Sequence, residues 1–271
     1  MGLTKGARTT KIAVGFAGKD EIEEYLQRVA EIGNKGFEEY LIAYIDFLGI
    51  KERMRQKSSF ESLQILKFIL AGAKKNAAFL ADINLINNFE IKVFSDNVVI
   101  AQRIKKDCLA DQIISILNLV SLIQFEALIQ FDFPLRGGIT IGELFIDESI
   151  VWGTGLIEAY NIENSLANYP RVIVTQKVIE SYDTCSSKTV NLYSMIKEDN
   201  DGLWFVDYFL AAPNLEIIPA ISASLRDKAM SHANEDIRVR QKVNWIIAHF
   251  NSYCHALKKR GDYEQYTIPF I

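Results

Sequence analysis

The chain has 271 residues, 49% apolar and 24% charged, with a formal net charge of −4. That composition suits an ordinary soluble globule, and its length allows one large domain or one domain with appendages. The acidic balance, with a pI near 5.6, argues against a general nucleic-acid binder but not against an acidic metal site with a nucleotide substrate.

The first residues, MGLTKGARTTKIAVGFAGKDE, do not read as a signal peptide. DEIEEYLQRVAEIG then has helical spacing and a glycine stop, and it sets residues 1–36 apart as a helical extension. YLIAYIDFL follows, a continuous apolar run read as a buried strand. Ser58 to Phe89 reads as one or two helices. IKVFSDNVVIAQRI reads as two strands joined by a tight turn at Ser95, Asp96 and Asn97. Asp107 to Gln130 is helical with a wide apolar face, although no stretch reaches the ~18 uninterrupted apolar residues of a membrane span.

LRGGITIGELF, Leu135 to Phe145, alternates and contains glycines, as a bent strand does. ESIVWGTG reads as a turn, Leu156 to Leu166 as a helix, RVIVT as a short strand and QKVIESY as a short helix. A strand at LWFVDYF precedes a helical C-terminal portion, residues 213–271, that ends in an amphipathic helix near Glu235 to Leu257. This order of elements predicts an α+β fold: a ferredoxin-like, mixed or antiparallel sheet flanked by helices, with additional C-terminal helices. Residues 37–212 are expected to form the main domain. Cys108, Cys185 and Cys254 are far apart and belong to no CxxC or Cys/His cluster. Neither structural zinc nor a disulfide framework is expected, and a reducing cytoplasm is the simplest location.

Two apolar segments each deliver one aspartate, Asp46 in AYIDFLG and Asp96 in KVFSDN. A carboxylate held against apolar surroundings needs a partner, because desolvating it alone costs several kcal/mol. Two readings stay open. A divalent cation held by both acids is one; a strand-end Asx turn and ordinary hairpin chemistry is the other. Side-chain alternation puts Tyr44 on the face of Asp46. In a ferredoxin-like sheet we expect the first strand to lie antiparallel beside the strand that enters the hairpin, with the register left open.

AYIDFLG, KVFSDN, LRGGITIGELFIDESIVWGTGLIEAYNIEN and YPRVIVT, in that order, resemble the class III nucleotidyl cyclases. More narrowly they resemble the pyrimidine cyclases of the bacterial Pycsar anti-phage system. The likeness runs from about Tyr40 to Thr175, and VRQKVNWIIAHFNSY resembles the C-terminal helix common in that group. The resemblance implies two divalent cations, Mn²⁺ or Mg²⁺, held by Asp46, Asp96 and the main-chain carbonyl of Phe47. One would activate the ribose 3′-hydroxyl for attack on its own α-phosphate, and the other would neutralise the leaving pyrophosphate. Tyr44 falls where the group's tyrosine bears on pyrimidine choice. The implied activity is UTP to 3′,5′-cyclic UMP, with CTP as the alternative substrate. The implied partners are a second copy of the chain, forming a homodimer with composite active sites, and a separate effector protein that responds to the product.

The chain also departs from that pattern. Purine cyclases read D-V-W-G-x-x-V-N-x-A-x-R where this chain runs from Ile150 to Asn161. Ile150, Ile157 and Asn161 occupy the base-reading Asp, the catalytic Asn and the catalytic Arg positions. Asn161 is kept as a substrate-contact candidate. Lys92, four residues before Asp96, takes the position of a base-reading lysine; a sheet-edge lysine is the equal alternative. Arg136 before Gly137-Gly138 is either a phosphate contact or, as the better reading, a salt bridge at a strand start. Arg103 is a candidate phosphate contact across a dimer interface, Arg171 reads as structural, Trp152 as core, and the three histidines have no assigned role. A non-catalytic cyclase-like nucleotide-binding module is the competing function. A palm-type phosphotransferase is the third, disfavoured by the absence of a GGDEF-like hairpin and by the acidic pI.

Overall fold

A computed structural model of the chain describes residues 18, 22–24, 26–27, 36–50, 59–80 and 89–271. It divides into two units, Met1–Phe37 and Glu38–Ile271. Of the expected N-terminal helix, 22–24 and 26–27 are helical, and the remainder lies outside the described residues. So does the stretch 81–88 of the long helical region.

In the second unit, β1 (Glu38–Phe47) is followed by helix α1 (Ser59–Leu80) and the hairpin β2 (Glu90–Phe94) and β3 (Asn97–Arg103). Helix α2 (Leu109–Phe131) leads into β4 (Leu135–Ile146), β5 (Val151–Trp152) and helix α3 (Thr154–Ser165). Then come β6 (Val172–Val174), α4 (Gln176–Asp183), β7 (Ile196–Glu198) and β8 (Trp204–Val206), and finally helices α5 (Ile218–His232) and α6 (Ile237–Ala256). Among the described residues eight strands form one sheet in the order β2-β3-β1-β4-β6-β8-β7, with β5 paired to β4. All pairings are antiparallel except β4 with β6. The α+β class and the mixed, helix-flanked sheet expected from the sequence are therefore present.

β1 is apolar on both faces because both faces are covered. Leu41, Ala43, Ile45 and Phe47 enter a core shared with α1 and α2, whereas Tyr40 and Ile42 join Leu144 and Ala159 under α3. On that second face glycines set the spacing. A Cβ on Gly142 would lie 2.5 Å from Gly155 Cα, and one on Gly138 would lie 2.5 Å from Ile162 Cγ2. Only glycine lets α3 lie this close to β4. The helices α5 and α6 bury their own apolar faces against Phe125 and Leu128 of α2 and against Tyr208 and Phe209. The helix Lys106–Phe131 is long and apolar enough to cross a bilayer, but 89% of its apolar window is buried inside the fold.

Four details differ from the expectation. β1 lies beside β3, the strand that leaves the hairpin, and not beside β2, which enters it. β5 is a two-residue strand where a turn was expected, because Phe145 and Ile146 pair back with Trp152 and Val151. β7 was not foreseen; IKE is too short and too polar to give a pattern. Trp152 is 68% exposed and not a core residue.

Candidate active site

The pairing of β1 with β3 decides where the two acids sit. Antiparallel neighbours match the end of one strand with the start of the other. Asp46, next to last in β1, therefore falls opposite Asn97, the first residue of β3. Phe47 N–H donates to the Asp96 carbonyl oxygen at 3.0 Å, joining the two segments at the hairpin tip. The tip is a two-residue connection with Ser95 at φ 58°, in the left-handed region. Asp96 is only 4% exposed, and its Oδ1 accepts a hydrogen bond from Asn97 Nδ2 at 3.3 Å.

On the other side β4 presents Arg136 directly opposite Asp46. Arg136 Nε lies 3.1 Å from Asp46 Oδ2, and its Nη2 lies 2.7 Å from Glu163 Oε1 on α3. Arg136 is thus the strand-start salt bridge that the sequence favoured, and the glycines after it admit protein groups. A Cβ on Gly137 would stand 2.2 Å from the Tyr44 carbonyl oxygen, and Gly138 lies under α3. Glu163 was not foreseen. Its signal was present in α3, where Ala159, Ile162 and Glu163 share the face turned to the sheet and one of the three is an acid.

Tyr44 shares the face of Asp46 and meets Tyr160 edge-on, with ring centroids 5.6 Å apart. Burial, followed by the charges of Glu163 and Asp46, pushes its phenol up to about 12. The hydroxyl stays protonated at neutral pH and is available as a hydrogen-bond donor. Lys92 stands opposite Val99, which in turn faces Tyr44, so all three share one face. Its Nζ donates to the Glu148 carbonyl oxygen at 3.2 Å. Asn161 is exposed on α3, away from the buried face of that helix. Among the other candidates, Arg103 forms an ion pair with Glu38 of the same chain. The Arg171 side chain is fully buried and bridges Asp199 and Asp201, as a structural arginine does. His249 is buried and bonded to Asp207 at 2.8 Å.

Asp46 near the end of β1 and Asp96 in the adjoining hairpin tip are hard-oxygen donors on two segments that the register brings together. That set fits a small divalent cation that keeps some of its water and takes the rest of its ligands from a phosphate substrate. A site of this kind does not require a protein cage, and among the described residues no group of three or more His, Cys, Asp or Glu side chains is arranged to hold a metal ion. Asp46, Asp96 and the main chain at Phe47 are the groups available for such a cation.

No family model and no curated protein matches the chain. Three similar solved structures come from nucleotidyl cyclases. One is the monomeric guanylyl cyclase domain of a RhoGC fusion protein from the aquatic fungus Blastocladiella emersonii, with TM-score 0.44 and 9% identity over 63% of this chain and 95% of that one. A second is the catalytic core of a rhodopsin-guanylyl cyclase with converted specificity, in complex with ATPαS, with TM-score 0.42 and 10% identity over 63% and 96%. A third is a bacterial light-regulated adenylyl cyclase, with TM-score 0.40 and 14% identity over 64% and 92%.

Proposed function

We propose that this chain is a pyrimidine nucleotide cyclase that converts UTP to 3′,5′-cyclic UMP and pyrophosphate and serves anti-phage signalling. The observation that carries the reading is the register of β1 against β3, with Asp46 opposite Asn97 and Phe47 bonded to the Asp96 carbonyl. It brings together two acids that lie fifty residues apart in the chain, in the segments that resemble the cyclases.

In this reading Asp46, Asp96 and the Phe47 carbonyl hold Mg²⁺ or Mn²⁺. Such cations lower the pKa of a ribose hydroxyl and neutralise charge on the phosphates. The residues of the chain do the positioning. Tyr44, protonated, donates a hydrogen bond to the base from the same face. Arg136 holds Asp46 in place through the Nε contact while its other nitrogen is fixed by Glu163. Lys92 is secured by Glu148 beside the base-reading side chain, and Asn161 meets substrate from the exposed side of α3. The reading also includes a second copy that completes each site. Trp152 and Ile157, exposed on the consecutive elements β5 and α3, supply apolar surface for that contact.

The test is to incubate the purified full chain with each of the four ribonucleoside triphosphates and Mn²⁺ and to identify products by chromatography and mass spectrometry. Cyclic UMP is the expected product; cyclic CMP would change the substrate, and no cyclic product at any metal concentration would overturn the activity. One observation favours a second reading, a nucleotide-binding module without turnover: Arg136 already pairs with Asp46. Calorimetry that finds tight nucleotide binding in a chain with no product would select it.

A further inference from the structure

Just past Asp46 the chain leaves β1 through Leu48 and Gly49. There a cavity of about 410 Å³ opens between this turn, the Asp132–Pro134 connection and helices α5 and α6. Its size lies within the roughly 300–1,000 Å³ of small-molecule sites. Lys228, His232 and Lys242 bring the basic groups. Lys228 is committed to an ion pair with Asp132, and His232 Nδ1 is within hydrogen-bond distance of the Lys228 carbonyl oxygen. Glu235 lines the cavity as an exposed residue, where water screens it.

Lys242 differs from these. Among the described residues it has no hydrogen bond and no ion pair, yet it is partly buried and within electrostatic reach of Asp46, Arg136 and Arg238. Burial and then the repulsion of Arg136 hold its pKa below the ordinary lysine value, and Asp46 only partly offsets them. A partly desolvated ammonium beside a guanidinium gains from an anion placed in the cavity.

We propose that this cavity takes the pyrophosphate end of a nucleoside triphosphate, with Lys242 as the cation that holds it. The proposal rests on the cyclase reading for its role, since a reacting phosphate at Asp46 and Asp96 would leave its two distal phosphates beside the β1 exit. It supplies a cation from the C-terminal helices in a chain whose Ile157 and Asn161 replace the polar groups expected on α3.

The experiment is calorimetric titration of inorganic pyrophosphate with Mg²⁺ into the full chain, its Lys242→Gln and Lys242→Arg variants, and Lys177→Gln as an exposed control elsewhere. Melting curves confirm that each variant is folded. Expected are binding by the wild type, about tenfold weaker binding by Lys242→Gln, the affinity lost for about 1.4 kcal/mol, and near-normal binding by Lys242→Arg and Lys177→Gln. In turnover, Lys242→Gln should raise KM for the triphosphate more than it lowers kcat. Absence of pyrophosphate binding by the wild type, or equal affinity in Lys242→Gln, overturns the proposal. If no nucleotide is cyclised while the Lys242 dependence of pyrophosphate binding holds, the cyclase reading falls and the anion site stands. If cyclic product forms while Lys242→Gln keeps both affinity and KM, the site falls and the cyclase reading stands.

Discussion

Arg136 and Asp46 face each other across the β1–β4 ladder, with Nε 3.1 Å from Oδ2. The same guanidinium reaches Glu163 on α3 at 2.7 Å. One cation thus joins the central strand, its neighbour and the helix above them. It also sets a competition, because any cation that binds Asp46 shares that carboxylate with Arg136.

Replacement of Arg136 separates its two effects. Arg136→Met removes the charge that holds the buried Glu163 and should cost about 3 kcal/mol of stability, the lower end of what breaking a buried ion pair costs. Urea unfolding measures this. The same variant should bind Mn²⁺ more tightly, because Asp46 no longer shares its charge; weaker Mn²⁺ binding would show that Arg136 organises the acids and does not compete for them.

Asp46→Asn and Asp96→Asn keep size and shape but remove one charge each. In the cyclase reading each should lower turnover at least about 100-fold, the rate equivalent of roughly 2.7 kcal/mol of lost transition-state stabilisation. Product quantification at saturating Mn²⁺ is the check. If both variants keep the wild-type rate, the metal assignment is wrong.

Stability should decline on acidification from about pH 6.5, and His249 is the cause. Burial holds its pKa below the ordinary 6.5, against the pull of Asp207. Below pH 6.5 the unfolded chain takes up a proton that the folded chain refuses, so the stability contribution is complete above that pH and is lost as pH falls toward the folded value. Asp207 adds a second loss below about pH 3.8: burial raises its pKa, but His249 and Lys197 outweigh burial and leave it lowered. His249→Gln should flatten the denaturation midpoint between pH 6.5 and 5. An unchanged slope would place the titrating group elsewhere.

The close seat of α3 on β4 predicts a steric penalty. Gly142→Val would drive side-chain atoms into Gly155, whose backbone has nowhere to move, at a cost of about 1–3 kcal/mol. Because α3 carries Glu163, the loss of thermal stability should be accompanied by weaker nucleotide binding, and calorimetry on the folded variant measures both.

Much of the fold was legible from local pattern. The apolar run of β1 and the hairpin around Ser95 and Asp96 showed in residue type and alternation, as did the long apolar face of α2. β7 and β5 were not, since two or three residues carry no period. Trp152 misled because a large aromatic side chain reads as core wherever it stands. Glu163 stayed hidden because one acid on an otherwise apolar helix face has no meaning until a partner is seen.

By itself the sequence determined most of the strands and helices, that Tyr44 and Asp46 share one face of β1, and that one acid sits near a strand end and the other in a hairpin turn. Side-chain periodicity is a local property, and it survives without knowledge of neighbours. Which strand lies beside β1 was decided by the tertiary structure alone. Pairing with β3 rather than β2 brings the end of β1 to the hairpin tip, and with it Asp46 to Asp96. The same holds for Arg136 on Asp46 and for Lys242 near it, because contacts between residues ninety and more apart depend on how the elements assemble.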